Sequence, residues 1–578
     1  MPDNHLYFGD NLDILRDSVP DESVDLIYLD PPFNSNRTYN VVFGAKHAAQ
    51  AGAQIQAFDD TWTWSPLTER HYLDLVNGGA PLRVADALLG FHSLLGEHDL
   101  LAYLVMMAPR LVALHEALKP TGSVYLHCDP TASHYLKVLM DAVFGPENFR
   151  NEIVWRRTGT HSKVRRFGPI HDTVLFYTRS KTYTWNAPKR PYMRGHIKKH
   201  FVQDAAGWRT NYSGNVLTGS GTRNGESGKP WRGFDPTAKG RHWALPRAIV
   251  EDCEEDLTGL TQHEKLDRLY ELGYILIDPK QVWPFYEHRL KPSDGTPIPD
   301  IWANQPYTQG TVFGTEACID EDAHWLSTSD SERLGYPTQK PVGLLTRIIE
   351  ASSNPGDMVL DPFCGCGTAV DAAQKLGRRW TGIDVTFLAV DLIRRRLVAA
   401  HGSAVEFDVT GVPRDEASAH QLFKRSHFEF ERWAVSLVDG EPKAKPGGDR
   451  GIDGVARFPL DAKAKGATGR VLISVKGGKD IKPEYVRELE GTVRSHKAEM
   501  GLLVTLEKPT QGMTDTANHF GTYEWPISKN AGRAFPRIQI VTVGDLVAGH
   551  KPQLPPILTP YLSARRSERA TQQIPLDA

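Results

Sequence analysis

The chain has 578 residues, 40% hydrophobic and 24% charged, with a formal net charge of -3 and a pI near 6.8. That length exceeds one ordinary core and sets two or three domains as the expectation. Near-neutral charge excludes a uniformly basic nucleic-acid coat but leaves a local basic groove open. No run of about 18 or more apolar residues stands out, which argues against a transmembrane helix. The start, Met1-Pro2-Asp3-Asn4-His5, lacks the basic-then-apolar order of a signal peptide. The five cysteines, Cys128, Cys253, Cys318, Cys364 and Cys366, are odd in number and mostly isolated, as in a cytoplasmic protein with reduced thiols.

In chain order, residues 24–29 read as a strand and 101–118 carry apolar residues at helical spacing. Lys119-Pro120-Thr121-Gly122 reads as a stop, followed by a strand over 123–127, a helix over 133–144 and a strand over 151–155. Strands separated by helices imply βαβ units and a mainly parallel sheet. From 180 to 330 the periodicity degrades into scattered Trp, Tyr, Gly, Pro and basic residues, the texture of an inserted recognition or lid region. Regular α/β texture returns with a helix over 340–353, a strand over 358–360, a helix over 368–376, a strand over 380–383 ending in Asp384, and a helix over 387–399.

A second compact unit is expected at 427–555. It has a helix over 428–438, a turn over 442–448, strands near 452–458, 471–476 and 501–506, and a helix over 483–498. Residues 404–426 read as a linker and 556–578 as a flexible tail. No internal repeat is visible.

Two acidic, Pro-containing signatures each follow an apolar strand: Asp30-Pro31-Pro32-Phe33, and Asp361-Pro362-Phe363-Cys364-Gly365-Cys366-Gly367-Thr368. A carboxylate at the carboxyl end of a buried strand points into the crevice where open α/β sheets bind ligands. Small residues in the second let the backbone approach a ligand closely, and Asp384, ending the next strand, suits ribose hydroxyls. Alone, this pattern equally fits a tight strand-to-helix turn or a dinucleotide site. The missing third glycine of G-x-G-x-x-G weighs against the latter, and no P-loop sequence is present. Cys364 and Cys366 are spaced C-x-C with no second pair nearby, which speaks against a metal site.

In the first signature, the Asp30 carboxylate and the Pro31 carbonyl could accept both N–H bonds of an exocyclic amine and localise its lone pair. Phe33 offers a face for a flipped base. The plain alternative is a Pro-stiffened strand exit.

Together the signatures resemble the amino-group DNA methyltransferases that use S-adenosylmethionine, in the clamp-first, cofactor-last order of their β group. Gly9-Asp10-Asn11-Leu12-Asp13, Asn34-Ser35-Asn36-Arg37, His127-Cys128-Asp129-Pro130, Asn151-Glu152-Ile153-Val154-Trp155, His171-Asp172 and Tyr336-Pro337-Thr338-Gln339-Lys340-Pro341 extend the likeness over roughly residues 5–400. The resemblance implies a Rossmann-like, circularly permuted, mainly parallel seven-stranded sheet over 1–403, with 180–330 as an inserted target-recognition region. It implies that Asp30, Pro31, Pro32 and Phe33 bind and activate the base. It places Asp361, Phe363, Gly365, Gly367, Thr368 and Asp384 on the cofactor, Lys340 and Pro341 at its methionine end, and Asp10 near its adenine.

The partner implied is double-stranded DNA, with adenine N6 favoured over cytosine N4; a membrane is not expected and a homodimer is left open. The basic stretch Arg156, Arg157, Lys163, Arg165 and Arg166 has no acid from 156 to 170 and suits phosphates. Within the insert, Trp231, Trp243, Trp283, Trp302, Arg223, Arg232 and Arg241 are candidates for stacking and base or phosphate contact, although any single Trp reads first as a small aromatic core.

In the C-terminal unit, Asp453 lies on one strand and Lys476 ends the next, resembling the D…(E/Q)-x-K core of the Mrr-like restriction-endonuclease fold. There an acid holds Mg²⁺ and the Lys aids the attacking water. Ser474 stands where the second acid is expected, and a hydroxyl binds Mg²⁺ far less well. Glu429, Glu431 or Asp449 could compensate, or the unit only grips DNA. Three readings follow: a methyltransferase fused to a nuclease, a solitary methyltransferase with a DNA-binding tail, and an RNA-directed or inactive binding protein.

Overall fold

A computed structural model describes residues 3–32, 37–42, 54–60, 63–159, 165–205, 207–210, 217–253, 255–327, 330–334, 336, 338–402, 405–443, 451–460, 467–527 and 534–558. Phe33, Lys163, Asp449, most of the 442–448 turn and the 556–578 tail beyond 558 lie outside them. The chain divides into two compact units. One comprises Met1–Asn186, Asp300–Ala303 and Asp322–Glu568; the other is built mainly from Ala187–Pro299 and Asn304–Glu321.

The larger unit contains a nine-stranded sheet. Its strands are β1 (His5–Phe8), β2 (Val24–Leu29), β3 (Leu118–Cys128), β4 (Phe149–Arg156), β5 (His171–Thr178), β6 (Ile301–Trp302), β7 (Met358–Asp361), β8 (Arg379–Asp384) and β9 (Asp408–Thr410). They lie in the order β6-β4-β5-β3-β2-β7-β8-β1-β9. Only β5 runs against its neighbours; every other pairing is parallel. Seven strands form the expected sheet. The two additions are short edges, Ile301–Trp302 beside β4 and Asp408–Thr410 beside β1.

Near-continuous burial of β2 and β3 reflects helices on both faces. The helix Asp99–Ala117 is long and apolar enough by composition to cross a bilayer, which the sequence reading did not foresee. Leu101, Tyr103, Leu104, Met107, Leu111 and Leu114 are buried in the core against the sheet, so its hydropathy is that of a core helix.

Lys119-Pro120-Thr121-Gly122, predicted as a stop, lies inside β3. Val24 pairs with Leu118 and Leu26 with Ser123, so these four residues bulge opposite Asp25, and Lys119 Nζ donates to its carboxylate at 2.8 Å. The segment expected as a linker, 404–426, holds β9 and the helix Glu416–Arg425.

Chain order reverses between β2 and β7: β3, β5, β4 and β6 extend from one, β8, β1 and β9 from the other. Both acidic signatures leave the sheet at that switch point, where a crevice must open.

The C-terminal part carries a five-stranded sheet, β10 (Glu441–Pro442), β11 (Gly454–Pro459), β12 (Thr468–Lys476), β13 (Met500–Thr505) and β14 (Ile538–Thr542), in sequential order. The first three are antiparallel and the last three parallel. Helix Pro483–Ser495 packs Val486, Leu489 and Val493 against Leu472, Leu503 and Ile538.

The smaller unit is a set of short ladders around its own core of Leu217, Trp231, Trp243, Ile249, Leu266, Leu269 and Tyr286, with Trp283 packed on it.

Candidate active site

Three neighbouring strands and one loop deliver the cavity. β2 leads into Asp30-Pro31-Pro32, β7 into Asp361 and the glycine turn, and β8 ends at Asp384. The loop after β1 brings Gly9, Asp10 and Asn11, held by Gly9 N donating to Asp384 O at 3.0 Å. All of these residues line one cavity with about 1180 Å³ of empty space including its mouth. The two signatures, far apart in sequence, therefore meet.

The glycine turn needs its glycines. Gly365 (φ +49°) and Gly367 (φ +73°) occupy left-handed backbone, and a Cβ on Gly367 would come 2.7 Å from Ile393 Cγ1. Gly367 shapes the turn as cap of helix Thr368–Lys375 rather than lining the cavity. The next helix residue, Thr368, lines it, and Arg396 Nη1 donates to its Oγ1 at 3.3 Å. Buried Arg396 is paired with Asp371 at 3.0 Å, so an internal ion pair stiffens the turn from behind. Cys364 and Cys366 are buried beneath it, their thiols pushed up by burial, and among the described residues no group of three His, Cys, Asp or Glu is placed to hold a metal.

Asp384 pins the turn: its Oδ2 accepts from Gly365 N at 2.9 Å and its Oδ1 from Thr386 N and Oγ1, both at 2.8 Å. Burial pushes its pKa up to about 6 despite those hydrogen bonds. Asp361, 4% exposed, accepts from Phe363 N at 3.1 Å. Burial, reinforced by the nearby Asp30 and Asp384 charges, raises its carboxyl well above the usual range. Three carboxylates around one cavity favour a ligand that brings positive charge. Phe363 lines the same wall.

Lys340, 7% exposed, donates to Asp30 Oδ2 and, at 3.3 Å, to Thr338 O. Thr338 holds a positive φ of +60°, a strained position on the cavity rim. The other oxygen, Asp30 Oδ1, is buried and has no hydrogen-bond partner among the described residues. Pro341 is buried and caps helix Val342–Ser352 without lining the cavity.

Asp10 caps helix Asn11–Ser18 through Leu12 N at 2.8 Å. It also takes Arg110 Nη2 on both oxygens, at 2.8 and 2.9 Å. Arg110 Nε donates to Asn11 Oδ1 at 2.6 Å and Asn11 Nδ2 to Pro362 O at 2.8 Å, which ties the β1 loop to the glycine turn. Sequence reasoning missed Arg110. The signal was the one Lys or Arg of an apolar helix, just after Pro109. Tyr28, also on the cavity wall, was missed as well; its hydroxyl donates to His127 Nδ1 at 3.0 Å. His127 Nε2 faces Asp172 Oδ2 at 3.2 Å, and a carboxylate only accepts, which assigns the proton to Nε2.

The basic stretch divides. Arg156 lies over the Trp325 ring at 4.8 Å and Arg157 pairs with buried Asp172 at 3.1 Å, whereas Arg165 and Arg166 are exposed. In the insert, Trp231 and Trp243 are buried in its small core, as the plainer reading holds. Trp302 is buried on β6, beneath Arg347. Arg232 pairs with Asp267 at 2.9 Å, Arg241 donates to Thr218, and Arg223 is exposed.

In the C-terminal domain Asp453 and Glu431 do come together, with Ser474 and Lys476 on β12. Between the two acids lies Lys443 Nζ, 2.7 Å from Asp453 Oδ1 and 3.0 Å from Glu431 Oε2. Asp453 Oδ2 accepts from Val475 N at 2.7 Å. These residues do not fit the Mg²⁺ expected at Asp453: an ammonium fills the place between the acids, and Ser474 adds no charge.

Residues 24–394 match a family described as DNA methylase, well over half of the chain. The chain belongs to the DNA methylase family. Residues 423–547 of the methylase match a second family, described as NACHT-associated inactive Restriction Endonuclease 1. Among curated relatives, Type II methyltransferase M.EcaI of Enterobacter cloacae is 28% identical over 432 residues, 74% of this chain and 77% of its own. The Type III StyLTI Mod subunit of Salmonella typhimurium is 26% identical over 378 residues, 64% of this chain and 49% of its own. DNA adenine methyltransferase YhdJ of Escherichia coli K12 is 53% identical over 72 residues, 12% of this chain and 24% of its own. A solved DNA modification methylase from Thermus thermophilus, complexed with S-adenosyl-L-methionine, overlays with a TM-score of 0.30 at 14% identity, covering 70% of this chain and 99% of that one.

Proposed function

We propose that the methylase moves a methyl group from S-adenosylmethionine to the exocyclic amine of a flipped base in double-stranded DNA, adenine N6 in preference to cytosine N4. The observation that carries this reading is Asp30 Oδ1, a buried acceptor without a partner among the described residues, on the wall of a cavity that also holds Asp361 and the glycine turn. The preference for adenine rests on the relative named as a DNA adenine methyltransferase.

When bound, S-adenosylmethionine supplies a methyl group already activated by its sulfonium. The residues fit it: Asp361 and the turn amides suit its ammonium and carboxylate, Asp384 its ribose, and Phe363 and Asp10 its adenine side. Asp30 Oδ1 accepts one N–H of the base amine and the Pro31 carbonyl the other, which draws the nitrogen lone pair out of ring conjugation. Lys340 holds Asp30 Oδ2, which leaves Oδ1 as the unengaged oxygen. After transfer, Oδ1 is placed to take the proton the nitrogen sheds. Phe33 is assigned to stack on the base. The unit built from 187–299 and 304–321 is assigned to target recognition, with exposed Arg223 for phosphates; in the larger unit, exposed Arg165 and Arg166 are assigned to phosphates.

A second reading concerns the tail alone. The family match and the Lys443 contact favour a DNA-gripping module without nuclease activity over an active nuclease.

Labelled S-adenosylmethionine with unmethylated duplex, followed by nucleoside mass spectrometry, tests the first reading. N6-methyladenine is expected. Asp30→Ala should lower transfer by at least about 10²–10³-fold while cofactor binding persists. If the variant is folded but no longer binds cofactor, Asp30 does not hold the base.

A further inference from the structure

We propose that Lys443 is the resident cation of the C-terminal domain, its ammonium standing between Asp453 and Glu431 where a divalent ion would otherwise bind. The chain itself thereby closes an acidic site that resembles a nuclease centre.

The ladder builds this contact. Pro442 on β10 pairs with Gly454 on β11, so Lys443 and Asp453 are neighbours just beyond the pairing, and Lys443 N donates to Asp453 O at 2.9 Å. With the backbones joined, the Lys443 side chain reaches Asp453 Oδ1 and, on helix His427–Ser436, Glu431 Oε2. All three groups are shielded: the side chains of Asp453, Lys443 and Glu431 are 6%, 14% and 25% exposed. Burial works against the Lys443 ammonium, but its hydrogen bonds to Asp453 and Glu431 outweigh that and hold its pKa above the ordinary lysine value.

Two further features close the site. Asp453 Oδ2 is held by Val475 N, so neither oxygen of this acid lacks a protein partner. Ser474, buried on β12, replaces the second acid with a neutral hydroxyl. Lys476, the remaining member of the pattern, lies over the Tyr485 ring at 5.2 Å. A divalent ion needs several hard, mostly anionic oxygens, and here it would have to displace a cation already making two charge-assisted hydrogen bonds.

The test uses the full chain and Mn²⁺ as probe, read by calorimetry and by thermal unfolding. Wild type should show no Mn²⁺ binding that Asp453→Asn removes. Lys443→Met leaves the Asp453 and Glu431 carboxylates without the ammonium they share; it should unfold at lower temperature and be restored by Mn²⁺, with affinity at least about ten-fold above wild type. Adding Ser474→Glu to Lys443→Met should tighten binding further. The proposal is overturned by a wild-type Mn²⁺ site that Asp453→Asn abolishes, a measurement independent of whether Lys443→Met folds. It is equally overturned by a folded Lys443→Met protein that gains no affinity.

Discussion

In the cavity at the switch point, Lys340 engages one oxygen of Asp30 and leaves Oδ1 buried and without a partner among the described residues, on a residue that lines space large enough for a ligand. In the C-terminal domain, Lys443 engages Asp453 and Glu431, while the other oxygen of Asp453 takes a backbone amide. Each site is an acid beside a lysine near the end of a strand. They differ in what is left unsatisfied: an orphaned acceptor and repelling carboxylates invite a cationic ligand and an amine, whereas a fully paired acid invites nothing.

Substitutions at several points would break this contrast. After Asp30→Ala, the largest effect is expected from Asp361→Ala. Removing a buried carboxylate assigned to the cofactor ammonium should weaken S-adenosylmethionine binding by roughly 10–100-fold, read by calorimetry; unchanged affinity would place the ammonium elsewhere. Gly367→Ala comes next. The Cβ meets Ile393 in left-handed backbone, so a loss of about 1–3 kcal/mol of stability is expected, with a fall in cofactor affinity as the turn shifts. A variant as stable as wild type would show that the turn can relax.

A smaller, pH-dependent effect belongs to Asp384. Its pKa is raised on folding from 3.8 to about 6, so the folded state binds more protons than the unfolded one across that window. Stability from this group is therefore greatest below about pH 4 and falls as pH rises to about 6, by roughly 3 kcal/mol at most. Asp384→Asn should remove this group's share of the slope from the cofactor-free protein in denaturant titrations, leaving that of the raised Asp361 carboxyl. If the slope is unchanged, the Asp384 carboxyl titrates elsewhere.

The methyltransferase half was legible because its chemistry sits on strand ends. Asp30, Asp361 and Asp384 each close an apolar run, and strand ends in an open α/β sheet point at one crevice whatever the intervening length. Arg110 and Tyr28 were not legible as site residues, because a helix surface and a strand interior acquire their neighbours only when the sheet assembles. The insert's tryptophans were open to two readings, a small aromatic core first and DNA contact second, and packing placed Trp231 and Trp243 in a core. β5 went unread although Val174-Leu175-Phe176-Tyr177 is a short apolar run, and the Lys119-Pro120-Thr121-Gly122 bulge looked like a turn because its local composition is that of one.

By itself, then, the sequence determined the class of fold, the order of the two acidic signatures, and the acids that line the cavity, since these follow from local pattern and chain order. Tertiary structure decided which of those acids are left open. Lys340 and Lys443 reach their partners across 310 and 10 residues of chain respectively, and whether a carboxylate is closed or waiting depends on every group that packs around it, which no local pattern records.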